Sequence, residues 1–149
     1  MQLGDKVVIV RPYDHDIDHN FVISSWLNNY YHGSADFTKH VSNSIYFKYH
    51  HLLLKRLLGR ACRSSYVAVF EDKPDVILGF LSHEGGPTVS VIHYLYVKPA
   101  YRKKGVGRLL VSFLGDTGDK ELYCSHLTKL GVRLLYKIKG LQYNPYFIG

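Results

Sequence analysis

Apolar positions along this chain recur with two periods, one near two residues and one near 3.6, and the switches between them mark out its elements. The run at 6–11, Lys-Val-Val-Ile-Val-Arg, is β-branched and closed by Pro12, which predicts a first strand. From 17 to 30, Phe21, Val22, Trp26 and Tyr30 follow helical spacing, with Asp16 or Asp18 as the expected cap. A polar loop at 31–40 leads into a second helix that starts at Ser42 or Asn43. It is expected to bury Ile45, Tyr49, Leu52, Leu53, Arg56 and Leu57, and to stop at Gly59.

Residues 65–71 alternate cleanly, 72–75 read as a turn, and 76–83 as the returning strand of a hairpin. Glu84-Gly85-Gly86-Pro87 turns the chain into a long strand at 89–97. Helices at 106–114 and 128–139, each closed by glycine (Gly115, Gly140), flank a short strand at 120–124. A final strand at 142–148 is interrupted by Pro145. The order β-α-α-β-β-β-α-β-α-β has no repeat and no linker, so a single mixed α/β (α+β) domain over 1–149 is expected.

Charge sharpens one stretch. The formal charge is +7, which by itself points toward nucleic acid. Five cations, Lys98, Arg102, Lys103, Lys104 and Arg108, fall within the span 98–108, however, and no acid lies between Gly85 and Gly115. Strand, glycine-bearing turn and helix follow one another there. Such a turn gathers backbone N–H groups where the helix dipole is positive, and its glycines allow close approach. Concentrated charge of this kind suits a pyrophosphate better than a polynucleotide groove. Hydrophobic content of 46% with 21% charged residues predicts a folded, soluble chain. Its 13 tyrosines fit a large binding surface or a tyrosine-rich core.

Val97-Lys-Pro-Ala-Tyr-Arg-Lys-Lys-Gly-Val-Gly-Arg resembles the acyl-CoA motif of the GNAT (GCN5-related N-acetyltransferase) superfamily, Arg/Gln-x-x-Gly-x-Gly/Ala, with Arg102, Gly105 and Gly107 at its fixed positions. Leu135-Tyr-Lys-Ile-Lys-Gly-Leu141 resembles the family's Leu-Tyr-x-Lys-x-Gly-Phe, with Leu141 in place of Phe. The resemblance covers about 66–143, and the front half is also similar to small GNAT-like proteins of phages and prophages. It implies a GNAT fold, a central mixed and mostly antiparallel sheet flanked by helices, and acetyl-CoA as cosubstrate without a metal. Backbone at Lys103, Lys104, Gly105, Val106, Gly107 and Arg108 would bind the pyrophosphate. The strand at Leu95, Tyr96 and Val97 would pair with the pantetheine arm, two neighbouring strands splaying so that the acyl group lies in their fork. The family's frequent pantetheine-binding Asn is replaced here by Lys129, which is expected either to lack that contact or to reach a CoA phosphate.

The implied reaction is direct attack of an amine on the thioester, which needs a base for the amine and an acid for the departing thiolate. Tyr136 falls on the family's general-acid position. His93 falls where many members carry a glutamate base, and an imidazole titrating near pH 6.5 suits the task; His83 and Glu84 are the alternatives. Ser125 and His126 are further candidates for lining the acyl pocket. The acceptor, a small amine or a protein lysine or N-terminus, is expected against the first two helices, near Trp26, Tyr30, Tyr31, His32, Asp36 and Phe37, with Glu84 close by. A non-catalytic CoA-binding or basic nucleic-acid-binding module on the same fold is the competing reading.

The remaining features are placed lower. Asp14-His-Asp-Ile-Asp-His19 has ligand-type residues without an apolar frame and is expected to cap a helix rather than hold a metal. His50 and His51 are expected on different helix faces. Cys62 and Cys124 have no metal-type spacing and are expected to be reduced, with Cys124 buried. The absence of a signal-like N-terminus or a long apolar run predicts a cytoplasmic protein without a membrane span; a monomer or a homodimer is expected.

Overall fold

Seven strands form one sheet in the order of the sequence, β1 to β7, in the computed structural model, which describes residues 1–148. They are β1 (Gln2–Leu3), β2 (Lys6–Pro12), β3 (Tyr66–Phe70), β4 (Lys73–Gly85), β5 (Val89–Val97), β6 (Glu121–Cys124) and β7 (Leu141–Tyr143). β1 to β5 pair antiparallel, whereas β5–β6 and β6–β7 pair parallel. The helices are α1 (His15–Gly33), α2 (Asn43–Ala61), α3 (Val106–Val111) and α4 (Val132–Lys137). The expected order is therefore present, preceded by the short β1.

The core lies in two layers. Val22, Ile23 and Trp26 of α1 and Leu54, Leu57 and Leu58 of α2 pack with Phe80 and Tyr94 of the sheet. The second layer joins Val106 and Leu110 of α3 to Ala68, Leu78, Leu81 and Ile92. A strand covered on both faces cannot alternate, and Val67 to Phe70 are all buried. β4 and β5 lie so close to α3 at Gly79 that a methyl group there would stand 2.5 Å from the Tyr96 carbonyl oxygen and 3.4 Å from Leu110. Only glycine fits at that point.

Several boundaries differ from the sequence reading. The first helix is capped by Asp14, whose carboxylate accepts from the Asp16 N–H at 3.0 Å, and not by Asp16 or Asp18. Asp18 is instead buried against Arg11. The second helix runs through Gly59 to Ala61, because Leu57, Leu58 and Ala61 continue its buried face. That face holds Tyr46, His50 and Leu54, whereas Ile45, Tyr49 and Leu52 are more than half exposed. The Tyr46 hydroxyl on that face donates to the Leu27 carbonyl at 2.6 Å.

The expected helix at 128–139 is a turn followed by the six-residue α4, the Thr128 hydroxyl accepting from the Gly131 N–H at 2.7 Å. The expected last strand is three residues, then a 3₁₀ turn at Pro145–Ile148, since proline cannot donate to a ladder.

Candidate active site

β5 pairs with β6 only from Val89 to Ile92. A β-bulge marks the place: Ser82 stands opposite Tyr94, yet His83 stands opposite Ile92, so His93 is the extra residue. Past the bulge β5 continues to Val97 along β4, while β6 ends at Cys124. The two strands thus fork. A narrow cavity of about 40 Å³ occupies the fork, lined by Tyr94 and Leu95 on one side, Cys124 and His126 on the other, and Leu134 from α4.

The basic turn follows directly from the open limb of that fork. Lys103 (φ 61°) and Gly105 (φ 92°) are both left-handed, two residues apart, immediately before α3. Left-handed residues set among right-handed ones turn successive N–H groups toward one concavity, the arrangement that cradles anions. A side chain at residue 105 would be strained, which is why glycine is needed there. Arg102 donates through Nε to the Val97 carbonyl at 2.8 Å and lies 5.9 Å from the Tyr96 ring centre. It fastens the turn to the strand, so its charge is committed in part to the protein. Lys103 and Lys104 are exposed, and Gly107 meets only an ordinary contact with Val97. Val106 is buried beneath the turn, which leaves its backbone rather than its side chain to face a ligand.

Tyr136 is 85% exposed and does not line the cavity, although Leu134, two residues earlier, does. Among the described residues its hydroxyl has no hydrogen-bond partner. It is open to a bound molecule but is not oriented by the protein.

His93 is 1% exposed and both ring nitrogens are engaged: Nε2 with Glu84 Oε1 at 2.6 Å and Nδ1 with Ser125 Oγ at 2.7 Å. Direct contact with an acceptor amine is closed to it in this conformation. Burial lowers its pKa, with Glu84 opposing. His83 is equally occupied, by Ser90 Oγ at 2.7 Å and the Ser64 carbonyl at 3.3 Å, and burial lowers its pKa too. Glu84 also accepts from Arg60 Nε at 2.8 Å; burial works to raise its pKa, but the Arg60 and His93 hydrogen bonds outweigh this and hold it low.

The expected acceptor residues divide. Trp26 and Tyr30 are core residues, 0% and 2% exposed; Trp26 stacks on Tyr94 at 5.2 Å, so neither offers a free surface. Tyr31, His32 and Asp36 line a cleft of about 420 Å³ together with Lys39 and Lys129. Phe37 is half exposed and packs on Tyr30 and His50. Glu84 lies outside this cleft, paired with Arg60 and His93. Lys129 is held beside the end of α1, its N–H donating to the Gly33 carbonyl at 2.8 Å, and lines this cleft, in which the basic turn takes no part.

No group of three or more metal-ligating side chains converges among the described residues. His15 and His19 instead meet the Tyr13 hydroxyl, at 3.2 and 3.3 Å. Burial pushes the Cys124 thiol up to about 11, far from a nucleophile's range. No described helix is long and apolar enough to cross a membrane.

His50 is absent from the sequence reading of the site. Its ring meets His126 at the inner end of the fork, Nε2 to Nε2 at 3.0 Å. The spacing Tyr46, His50, Leu54, Leu57, Leu58 carried the signal for its buried face, but the more hydrophobic Ile45, Tyr49, Leu52 stripe outweighed it.

A sequence profile described as "Acetyltransferase (GNAT) domain" matches residues 63–140, just over half of the chain. No curated protein sequence matches. Among solved structures, the fold is similar to the PaiA N-acetyltransferase of Thermoplasma acidophilum in complex with coenzyme A, at 18% identity and a TM-score of 0.58 over 88% of this chain and 87% of that one. A GCN5-related N-acetyltransferase of Ralstonia eutropha JMP134 is similar at 19% identity and 0.58, over 89% and 92%. The GCN5-related glucosamine N-acetyltransferase region of a fungal multi-domain β-N-acetylglucosaminidase is similar at 22% and 0.52, over 75% of this chain. The chain spans only 12% of that larger protein. At these identities the likeness is one of fold.

Proposed function

The chain belongs to the GNAT acetyltransferase family, and on that premise we propose that it is an acetyl-CoA-dependent N-acetyltransferase in which an amine attacks the thioester directly. The observation that carries this reading is the continuity of the fork with the basic turn. The limb of β5 that β6 leaves unpaired runs at Val97 into the turn that holds Lys103, Lys104 and Gly105. An extended pantetheine arm would add to Leu95, Tyr96 and Val97 as a strand adds to a sheet edge. The pyrophosphate would meet the backbone of 103–108, with Lys103, Lys104 and Arg108 supplying charge and Arg102 holding the turn in place.

In this reading the thioester end lies in the fork, beside Cys124 and His126. Tyr136 is the proposed acid for the departing thiolate, oriented by the bound cosubstrate rather than by the protein. The acceptor enters by the cleft between the α1–α2 loop and Lys129. One acid, Asp36, and two lysines, Lys39 and Lys129, line that cleft. A purely cationic acceptor would meet more like charge than opposite charge, so the cleft fits an amine that also carries an anionic group.

The test is CoA release from acetyl-CoA, followed with a thiol reagent, with and without a panel of spermidine, tyramine and a short peptide carrying a lysine and a free carboxylate. Release above the rate with water alone is expected for at least one amine, the peptide favoured. Tyr136→Phe is expected to lower kcat by about 10²-fold, the low end for loss of proton transfer. Tight acetyl-CoA binding with no amine-dependent release would instead make the protein a binding module.

A further inference from the structure

One feature is not required by the acetyltransferase reading: an unbroken file of five hydrogen-bonded side chains through the core. Glu84 Oε1 meets His93 Nε2 at 2.6 Å, and His93 Nδ1 meets Ser125 Oγ at 2.7 Å. Ser125 Oγ meets His126 Nδ1 at 3.0 Å, and His126 Nε2 meets His50 Nε2 at 3.0 Å. Four different parts of the fold contribute: β4, the bulge of β5, the segment after β6, and α2. His50, His93, Ser125 and His126 are all buried, while Glu84 keeps a partly exposed carboxylate, 28% open.

The charge at one end fixes every proton in the file. A carboxylate can only accept, so His93 carries its proton on Nε2 and its Nδ1 is an acceptor. The Ser125 hydroxyl must then donate to His93 and accept from His126, which places the His126 proton on Nδ1. His126 Nε2 is left as an acceptor, and His50 must carry its proton on Nε2. Each hydrogen bond is satisfied once, every donor points toward Glu84, and no ring needs to be charged. Arg60 pins the carboxylate end through its 2.8 Å bond.

At the other end the free lone pair is Nδ1 of His50. It makes no hydrogen bond with a described residue. Among the described residues the side-chain polar atoms sealed from solvent without a partner are Trp26 Nε1 and Ser82 Oγ, whereas His50 keeps 5% exposure. The ring stands 5.6 Å from Phe37, half exposed on the loop that bounds the acceptor side. Between the ends, His126 lines the cavity in the fork.

We propose that this file is a proton relay, His50 receiving the proton of the acceptor ammonium and Glu84 passing it to solvent. The proposal rests on the acetyltransferase reading. In the step, the N–H bond of the ammonium breaks and a bond forms at His50 Nδ1. The His50 Nε2 proton moves to His126 Nε2, the His126 Nδ1 proton to Ser125 Oγ, the Ser125 proton to His93 Nδ1, and the His93 Nε2 proton to Glu84. The amine is left neutral with its lone pair free for the thioester, and Glu84 neutral until it yields its proton to water. No imidazolium has to persist in the core, where burial penalises it. His50 is the catalytic residue here; Ser125, His93 and Glu84 act through it and through His126.

Ser125→Ala removes the central hydroxyl and little else. It is expected to lower kcat for the fastest amine of the panel by about 10²-fold, with the KM for acetyl-CoA unchanged, as for a step that binding does not share. Ser125→Thr, which restores the hydroxyl, recovers most of the rate. Glu84→Gln, at the partly exposed end, gives the same loss and serves if Ser125→Ala does not fold. Histidine ¹⁵N NMR of the parent is expected to show the proton on Nε2 of His50 and His93 and on Nδ1 of His126. Full kcat in the folded Ser125→Ala or Glu84→Gln protein, or the opposite tautomer at His93, overturns the relay and leaves the acetyltransferase reading standing. A parent that binds no acetyl-CoA, or turns over no amine, overturns that reading and the relay with it.

Discussion

Arg11→Ala is expected to lower the unfolding free energy by about 3–5 kcal/mol in urea denaturation at neutral pH, the range for breaking a buried ion pair from one side. Arg11 of β2 grips Asp18 of α1 with both guanidinium nitrogens, at 2.7 and 2.8 Å, and reaches the Pro74 carbonyl of β4 at 3.0 Å. Asp18 is 2% exposed, and among the described residues its one further partner is the Asp14 N–H at 2.8 Å. Deleting the cation leaves the buried Asp18 carboxylate without a compensating charge. Replacing the pair together, Arg11→Met with Asp18→Leu, should recover much of the loss, because no charge is then left uncompensated. The pair also sets the start of α1, the helix whose far end borders the cleft lined by His32 and Asp36. A loss below about 1 kcal/mol, the level of an exposed pair, would contradict this account.

Acidification should unfold the protein steeply, and the buried histidines supply the reason. Burial lowers the pKa of His50 to about 4 and that of His126 well below the usual value; His19, His83 and His93 are lowered as well, chiefly by burial. The unfolded chain therefore binds more protons than the native one between these values and about 6.5. Stability falls as pH falls through that window and is fully present above it. His50 alone accounts for about 3 kcal/mol between pH 6.5 and 4. Urea melts at intervals from pH 7.5 to 4.5 should show this slope, and His50→Phe should flatten it. A stability that is level from pH 7 to 5 would mean that these rings are not held neutral in the core.

How much of this was legible in the sequence depends on what a residue's neighbours have to say. Arg102, Gly105 and Gly107 pointed to a tight turn between strand and helix because glycine and charge act through the local backbone, and the turn stands where strand and helix meet. The pattern could not show that Arg102 is fastened to the Val97 carbonyl, a contact made by the folded turn. Trp26 and Tyr30 looked like acceptor contacts because aromatic rings suit both surfaces and cores; only packing against Tyr94 and His126 tells them apart. The face of α2 was misread for the opposite reason. Its buried side carries His50, a residue that hydropathy counts as polar, and its partner His126 is 76 residues away. Resemblance singled out His93 as a candidate base, but the bulge that turns it into the core is a register property shared by two strands. Long-range hydrogen bonding leaves no periodic trace, which is why the relay escaped the sequence.

The central claim is that the fork and the turn beside it hold acetyl-CoA. Calorimetric titration of the protein with acetyl-CoA, repeated on the double charge reversal Lys103→Glu with Lys104→Glu, tests it most directly. One site per chain is expected in the parent, with a gain of about 2.7 kcal/mol in stability at a hundredfold excess over Kd. The reversal should weaken that affinity severely while leaving the unliganded protein's denaturation midpoint nearly unchanged, because both lysines are exposed. No binding by the parent, or equal binding by the two proteins, would contradict the account.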